Sequence, residues 1–527
     1  MKQGEIRELV GELMVTGFDS LAVNDHAKQL VGKHRVKNII LFKRNVESME
    51  QVTELNETLQ DCARTAGHEL PLIICTDQEN GIVRRLAPGL PGLPGNMAVG
   101  ATGNPDNAYR VGQLTARQLL RMGVNMNLAP VLDVNNNPAN PVIGVRSYGE
   151  DPNRVAEFGI SMIQGLQECG VIACGKHFPG HGDTSIDSHL ALPEISHPLS
   201  RLEEIELKPF RRAIAGGLDV IMTAHVVFSS IEPRHIPATL SRLVLTRFLR
   251  EELGFQGVIT TDCLEMNAIS ETIGVGEGAV QALAAGADMI MVSHRLDRQE
   301  DAIESIVNAV LDGRIPEERL VDAATRVREM RERRLRLDGD EVPVSGGKKD
   351  DLLCEAIALQ QDVCAQAATI VSNDHGDLPL SPKDIERVHV LVDTTMPRMS
   401  AADNAASHQF LVDAIETAIP GSQIILHRID TTVPERTAFE EDDLIIAGLS
   451  GCGNAAYIAF LQDLVKSDLR LVLIALQSPY DLAAVPGAPT SVAVYEYTPW
   501  MVEAGVDALF GRGGQGRLPV SVVLAVE

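Results

Sequence analysis

The sequence has no excess of basic residues and no long apolar run, and both absences exclude partners. Its 527 residues carry a formal net charge of −26 at pH 7, whereas nucleic acids and anionic membrane surfaces are bound by basic faces. No apolar run approaches the length of a bilayer span, and the first residues lack the apolar core of a signal peptide. We therefore expect neither nucleic acid nor a membrane as a partner, whereas a neutral ligand such as a sugar is compatible with the charge.

Paired cysteine motifs are also missing. The eight cysteines are scattered, none forms a Cys-x-x-Cys pair, and Cys75 and Cys263 lie inside apolar, strand-like runs. This pattern is typical of buried free thiols in a reducing compartment. The sequence therefore predicts a cytoplasmic protein.

What the sequence does have is an alternation of short apolar runs with helical stretches over residues 1–337. A chain of this length is too long for a single core, so two or more domains are expected. Apolar strands that alternate with helices indicate a parallel sheet covered on both faces, and eight such units indicate a (β/α)₈ barrel of the TIM type. The predicted strands cover residues 13–16, 38–42, 72–76, 126–132, 172–175, 220–224, 258–261 and 289–292.

Polar residues follow the ends of these predicted strands, where barrels of this type have their active sites. An open doubly wound sheet would gather its ligands at one crevice instead. The even spread of the polar residues around the strands favours a closed barrel. These residues are Asp77, Asp133, Lys176, His177, His225, Asp262 and His294.

A charged, glycine-containing stretch at residues 338–350 then interrupts the pattern and is interpreted as a linker. Residues 351–527 again alternate strands and helices, which predicts an α/β sandwich domain with a mostly parallel sheet. Its predicted strands cover residues 388–392, 424–427, 444–447, 471–476 and 492–495. The sequence assigns this domain no role beyond support of the barrel or of a homodimer.

Asp262 is the first candidate catalytic residue, because a buried, apolar strand leads directly to it. A carboxylate held there could attack an anomeric carbon and form a glycosyl-enzyme intermediate. The alternative is that Asp262 caps the N-terminus of a following helix, a position that Asp favours. This segment alone leaves both interpretations open.

The second candidate is the loop at residues 176–189, which reads Lys-His-Phe-Pro-Gly-His-Gly-Asp-Thr-Ser-Ile-Asp-Ser-His. A loop that bends so often and carries so many titratable groups is typical of a functional site. A histidine paired with an aspartate can donate and later accept a proton, which makes His189 and Asp187 a candidate acid/base pair. The alternative is a surface loop in which Asp187 caps a turn and His189 has no role.

Two other kinds of site could account for parts of this sequence. His177, His181 and His189 could bind zinc, but Phe-Pro-Gly between the first two offers no regular geometry for it. The glycines at residues 274–278 resemble a dinucleotide fingerprint, but they follow a helical segment, so they are expected to start the next barrel helix.

Five charged or polar residues could bind the hydroxyl groups of a sugar, although each of them could equally belong to a structural ion pair. They are Asp77, Arg85, Arg146, Lys176 and His177.

Together these segments resemble the glycoside hydrolase family 3 β-N-acetylglucosaminidases over nearly the whole chain. The loop at 176–189 is specific for that branch, and residues 127–134 and 140–152 also look like family signatures. The family often reads Asp-Gln-Glu-Gly-Gly-Arg-Val where this chain has Asn80 and Ile82. The resemblance implies a barrel followed by an α/β sandwich, and no metal or organic cofactor.

The resemblance also assigns roles to residues. Asp262 matches the nucleophile, His189 the acid/base and Asp187 its partner. Five residues match those that bind the N-acetylglucosamine unit in the subsite before the scissile bond. They are Asp77, Arg85, Arg146, Lys176 and His177.

The expected activity is hydrolysis of terminal, non-reducing β-linked N-acetylglucosamine with retention of configuration. One alternative is a phosphorylase, since an imidazole repels an incoming phosphate less than a carboxylate would. The other is a sugar sensor without catalysis. The natural substrate stays open among chitin fragments, peptidoglycan fragments and glycoprotein-derived sugars.

Overall fold

The computed structural model describes residues 1–85, 88–188, 191–335, 349–395, 407–430 and 432–524. Its first sheet has eight parallel strands in the order β8-β1-β2-β3-β4-β5-β6-β7. A parallel bridge between Thr260 and Met289 joins β7 to the start of β8 and closes the ring. The predicted eight-stranded barrel is confirmed. The strands are β1 (Met14–Thr16), β2 (Asn38–Leu41), β3 (Ile73–Thr76), β4 (Met126–Asn127), β5 (Ile172–Phe178), β6 (Val220–Thr223), β7 (Val258–Thr260) and β8 (Ile290–Val292).

Two strand ends differ from the prediction by more than one residue, and both differences shape the mouth of the barrel. Strand β4 ends early because Pro130 has no N–H to donate to the ladder, and the chain contacts β5 again through Val131 and Lys176. Strand β5 instead runs on to Phe178, with a shift of register between Gly175 and Phe178. Such bulges re-aim side chains next to active sites, so Lys176 and His177 lie within the end of the strand.

Helices surround the barrel on its outer face. Three of the long helices begin at a side-chain N-cap, which is Ser48, Asn104 or Asp151. Ser, Asn and Asp are favoured at this position. Gly274 precedes the helix Val275–Ala285, so the glycines at 274–278 do start a helix. The α-helices are Gln3–Leu13, Asp25–Lys28, Met49–Thr65, Asn96–Ala101, Pro105–Arg121, Pro152–Glu168, Leu199–Glu204, Leu207–Ala215, Asn267–Ser270, Val275–Ala285, Leu296–Leu311 and Glu317–Arg334.

Shorter elements complete this part of the chain. The strands Glu194–Ile195 and Val227–Phe228 form a separate two-stranded ribbon. Wider π-helical turns cover Gln29–Lys33 and Leu243–Glu252, and 3₁₀ turns cover Lys43–Asn45, Gly144–Arg146 and Ala238–Leu240. None of the described helices combines the length and the apolar composition that a membrane span requires.

Successive side chains of a strand point to opposite faces of the sheet, and this produces two apolar layers in the barrel. One set of strand side chains, including Val15, Cys75 and Val220, fills the interior of the barrel. The other set, including Ile39 and Ile221, packs with the surrounding helices. Both faces of the sheet are covered, as the apolar runs in the sequence predict.

The second domain contains a six-stranded sheet in the order β9-β14-β13-β12-β10-β11. Strand β9 is antiparallel to β14 and was not predicted, whereas the other neighbours are parallel as predicted. Its strands are β9 (Thr369–Asn373), β10 (Arg387–Asp393), β11 (Gln423–Ile429), β12 (Leu444–Leu449), β13 (Arg470–Ala475) and β14 (Thr490–Ala493). Its α-helices are Lys349–Ala367, Gln409–Ala418, Ala455–Val465 and Pro499–Leu509, with 3₁₀ turns at Pro382–Asp384, Arg436–Ala438 and Pro479–Ala484.

The two domains share part of one apolar core. Ile82, Met97 and Val145 from the barrel side pack into the buried cluster of the second domain, and Arg517 N donates to Ala101 O at 2.9 Å. We propose 1–337 and 351–527 as the two domains. The predicted linker at 338–350 lies outside the described residues except at its end, where the helix Lys349–Ala367 begins.

Candidate active site

One cavity of about 440 Å³ opens at the carboxyl ends of the barrel strands. Six of the eight predicted site residues line it, and they come from segments spread along the barrel sequence. They are Asp77, Arg85, Arg146, Lys176, His177 and Asp262. The barrel geometry explains this convergence, since carboxyl ends of parallel strands meet at one mouth.

The other two predicted residues belong to the loop that follows β5. Asp187 is buried, and its neighbour Ser188 lines the cavity. His189 lies outside the described residues. The loop therefore reaches the cavity wall at Ser188, directly before the predicted acid/base residue.

A buried ionic network forms one wall of the cavity, with Glu79 at its centre. Its carboxylate accepts two parallel hydrogen bonds from Arg146, each of 2.8 Å. Lys176 Nζ lies 2.7 Å from both Glu79 Oε1 and Asp77 Oδ1. Burial alone would raise the pKa of Glu79, but the Arg146 and Lys176 charges outweigh it and hold that pKa below its usual value. Glu79 thus stays ionised and pairs with two buried cations, one of which also pairs with Asp77.

Glu79 was missed by the sequence prediction, although it stands two residues after Asp77. The predicted sugar-binding residue Arg146 already has protein partners: its Nε and Nη2 donate to Glu79, and its Nη1 donates to Val142 O at 2.8 Å. The signal that could have identified Glu79 is its position in a short Asp-Gln-Glu segment that follows a buried strand and precedes Arg84 and Arg85 by a few residues.

Asp133 fixes the orientation of His177. Its carboxylate accepts from His177 N at 3.2 Å and from His181 N at 2.7 Å, and His177 Nδ1 lies 2.7 Å from Oδ2. Burial would raise the pKa of Asp133, but the His177 ring beside it and these donors lower that pKa. A carboxylate at Nδ1 sets the tautomer of an imidazole, so Nε2 of His177 is the nitrogen left for a ligand.

His181 supports the loop from within. Its Nδ1 lies 2.8 Å from Thr184 Oγ1 and its Nε2 lies 2.8 Å from Ser188 Oγ. Burial, reinforced by the nearby His177, lowers the pKa of His181 to about 4, so its ring is neutral near pH 7. Because both nitrogens already have hydroxyl partners, the ring braces residues 181–188 and is a poor candidate for a zinc ligand.

Asp262 lies two residues beyond β7, on a turn that is tied to β8. Thr261 N donates to Met289 O at 3.0 Å, and Leu264 N donates to Met291 O at 2.9 Å. Asp262 Oδ1 accepts from Cys263 N at 2.7 Å. The next helix, Asn267–Ser270, has Met266 as its N-cap, so the interpretation of Asp262 as a helix cap is wrong.

One group of three residues in the described part of the chain has the composition of a metal site. Cys263, Glu265 and His294 place their ligand atoms within 4.8 Å of one another at the cavity wall. However, Glu265 already accepts from His294 N at 2.6 Å. Burial and then the charge of Arg44 lower the pKa of His294 to about 4. A cation beside this set opposes metal binding, and we assign no metal to it.

Asn80 shows how the loop after β3 keeps its shape where the family often has glycine. Its φ is +72°, in the left-handed region that Asn tolerates better than most residues. Ile82, the other departure, is buried in the core shared by the two domains. Both departures therefore suit the local backbone and packing.

The chain belongs to glycoside hydrolase family 3. The family model described as the glycosyl hydrolase family 3 N-terminal domain matches residues 5–330. Two curated relatives are the β-hexosaminidase A of Pseudoalteromonas piscicida, 34% identical over 324 residues, and the β-hexosaminidase of Alkalilimnicola ehrlichii, 36% identical over 290 residues. The first match covers 58% of this chain and 54% of that protein, and the second covers 54% and 81%. The chain thus spans about half the length of the Pseudoalteromonas relative.

A solved structure resembles the chain over both domains. It is a family 3 β-N-acetylglucosaminidase from Paenibacillus sp. strain FPU-7, which is 38% identical, has a TM-score of 0.87 and covers 99% of each chain. The resemblance to the family's two-domain β-N-acetylglucosaminidases, drawn from the sequence motifs, is confirmed. The protein is therefore an enzyme of the glycoside hydrolase class.

Proposed function

We propose that this enzyme is an exo-acting, retaining β-N-acetylglucosaminidase. The observation that carries the proposal is the cavity that Asp262 lines together with the Asp77–Lys176–Glu79 network. Such a cavity has the volume of a small-ligand site with a few convergent polar groups. The β-hexosaminidase names of the relatives support this substrate class.

The first step is proposed to be sugar capture by the charged wall. Asp77 is part-exposed and can accept hydrogen bonds from sugar hydroxyls, while Lys176 holds its position. Arg85, Arg146 and His177 Nε2 supply further polar contacts. Because Lys176 and Arg146 are already paired with Glu79 and Asp77, the wall binds a neutral sugar without leaving a buried charge unpaired.

The chemistry then follows two displacements at the anomeric carbon. Asp262 attacks that carbon and its C–O bond to the leaving group breaks, while His189 gives a proton to the departing oxygen. His189, oriented by Asp187, then takes a proton from water, whose oxygen displaces Asp262. The sugar is released with its original configuration, and both catalytic groups return to their starting states.

Replacing His189 by Ala should slow substrates with poor leaving groups far more than activated ones. General acid catalysis contributes about 10²- to 10⁴-fold, and an aryl leaving group needs little of it. We expect kcat/KM for an N-acetylglucosamine disaccharide to fall within that range, and kcat/KM for the p-nitrophenyl glycoside to fall much less. His197→Ala, which removes a half-exposed histidine bound to Asp183, is the matched control. Equal losses on both substrates would contradict the acid role.

Phosphate is a second candidate acceptor, because the proposed base is an imidazole and not a carboxylate. For a hydrolase, we expect added phosphate to leave the rate unchanged at constant ionic strength, with free N-acetylglucosamine as the product. Product analysis by NMR, with sulfate as the control anion, separates the two activities. Acceleration by phosphate alone with formation of the sugar 1-phosphate would identify a phosphorylase.

We also propose that the enzyme works in the cytoplasm. All eight cysteines are free thiols, and Cys75, Cys174, Cys263 and Cys364 are buried. Unpaired thiols in this number are typical of a reducing compartment.

A further inference from the structure

The second domain touches the barrel loop that carries Arg85. This loop, called the Arg85 loop, comprises residues 81–95 and leads into the helix Asn96–Ala101. Its residues 86 and 87 lie outside the described part of the chain. Two side chains that follow β14, Glu496 and Trp500, lie against it. Arg85 itself lines the cavity.

Glu496 is the main contact between the second domain and the Arg85 loop. It is 2% exposed, and its Oε2 accepts from Gly95 N at 2.6 Å. A Cβ atom on Gly81 would lie 2.6 Å from the same oxygen, so both ends of the loop pack directly against the carboxylate. Its Oε1 accepts from Thr498 Oγ1 at 2.9 Å and from Trp500 Nε1 at 2.8 Å.

Trp500 extends this contact to the middle of the loop. The Arg84 guanidinium lies 5.1 Å from the centre of the indole ring, within the range of a cation–π interaction. A Cβ atom on Gly92 would lie 2.3 Å from the indole, and Gln360 of the second domain donates to Gly92 O. The residue beside Arg85 is therefore held by the second domain.

The same contact borders the ionic network of the cavity. A small cavity between Glu496 and the network is lined by Glu79, Gly95 and Arg146. On the barrel side, Arg85 N donates to Gln78 Oε1 at 2.8 Å. The Arg85 loop is thus held from within the barrel by Gln78 and from outside it by Glu496 and Trp500.

We propose that Glu496 and Trp500 are positioning residues: they hold the Arg85 loop so that Arg85 reaches the sugar. This inference rests on the proposed function, in which Arg85 binds the substrate. It gives the second domain a part in substrate binding, exerted through the loop and without contact with the sugar.

The test replaces Glu496 by Gln, which keeps the size of the side chain. Gln has an amide nitrogen where the carboxylate has an acceptor oxygen, so either Gly95 or the Thr498–Trp500 pair loses its acceptor. We expect KM for the p-nitrophenyl glycoside to rise roughly tenfold with kcat nearly unchanged, the pattern of lost ground-state binding. Trp500→Phe, which removes the indole N–H, should move KM in the same direction.

Glu503→Gln is the matched control, since it alters an exposed carboxylate on the same helix and should leave KM unchanged. Trp500 is the only tryptophan of the chain, so its fluorescence reports on the junction in Glu496→Gln. A red-shifted emission together with a raised KM supports the proposal. A wild-type KM in Glu496→Gln and Trp500→Phe overturns it whether or not the emission moves, as does a fall in kcat with KM unchanged.

The same assays distinguish a failure of this inference from a failure of the proposed function. A wild-type chain that does not release p-nitrophenol from the glycoside overturns the proposed activity. An active wild type whose KM survives both substitutions overturns only the role of the second domain.

Discussion

Replacing Asp262 by Asn is expected to reduce kcat by about 10⁴-fold or more, the scale seen when a catalytic nucleophile is lost. Asn keeps the size of the side chain and an oxygen to accept from Cys263 N, the bond that orients Asp262. It loses the negative charge that must attack the anomeric carbon. Turnover of the p-nitrophenyl glycoside measures the loss, and circular dichroism checks that the barrel still folds.

A second variant separates loss of the nucleophile from general damage. Asp262→Ala opens space where the carboxylate stood, and azide can enter from that face and displace the aryl leaving group. The product would be the α-glycosyl azide, because one displacement inverts the configuration. Rate recovery with this product identifies Asp262 as the nucleophile. Full activity of Asp262→Asn would contradict the mechanism, and a wild type that binds N-acetylglucosamine without any turnover would support the sensor alternative.

The sequence predicts the barrel well because its strands are continuous apolar runs with polar residues after them. Those polar residues meet at one mouth by topology alone, so most of the site could be predicted without coordinates. Where strands end is less predictable. Pro130 ends β4 early, while β5 continues to Phe178 because β6 offers it a partner at Thr223.

The features that were missed depend on contacts between distant parts of the chain. Strand β9 pairs with β14, more than a hundred residues later, and local pattern does not reveal an antiparallel edge strand. Glu79 sits in a loop without periodicity, and its importance comes from Arg146 and Lys176, which other segments supply. The contact of Glu496 with Gly95 joins residues 401 positions apart. No local motif in the sequence indicates such a pairing.

Replacing Glu79 by Ala is expected to destabilise the barrel by about 3–5 kcal/mol, the usual cost of removing one partner from a buried ion pair. Arg146 and Lys176 are 6% and 2% exposed, so water cannot replace the lost carboxylate. The midpoint of urea unfolding measures the change. Glu69→Ala, which breaks the exposed pair with Arg328, is the control and should cost less than about 1 kcal/mol.

The cause of that loss can be tested by removing Arg146 as well. If the cost of Glu79→Ala comes from cations left without a carboxylate, then Arg146→Ala removes one of them, and Lys176 keeps Asp77 at 2.7 Å. The double variant should therefore lose clearly less stability than the sum of the two single variants, with a coupling of about 1–3 kcal/mol. Additive losses would mean that Glu79 and Arg146 contribute to stability independently. The contact between their charges would then add nothing to the stability of the barrel.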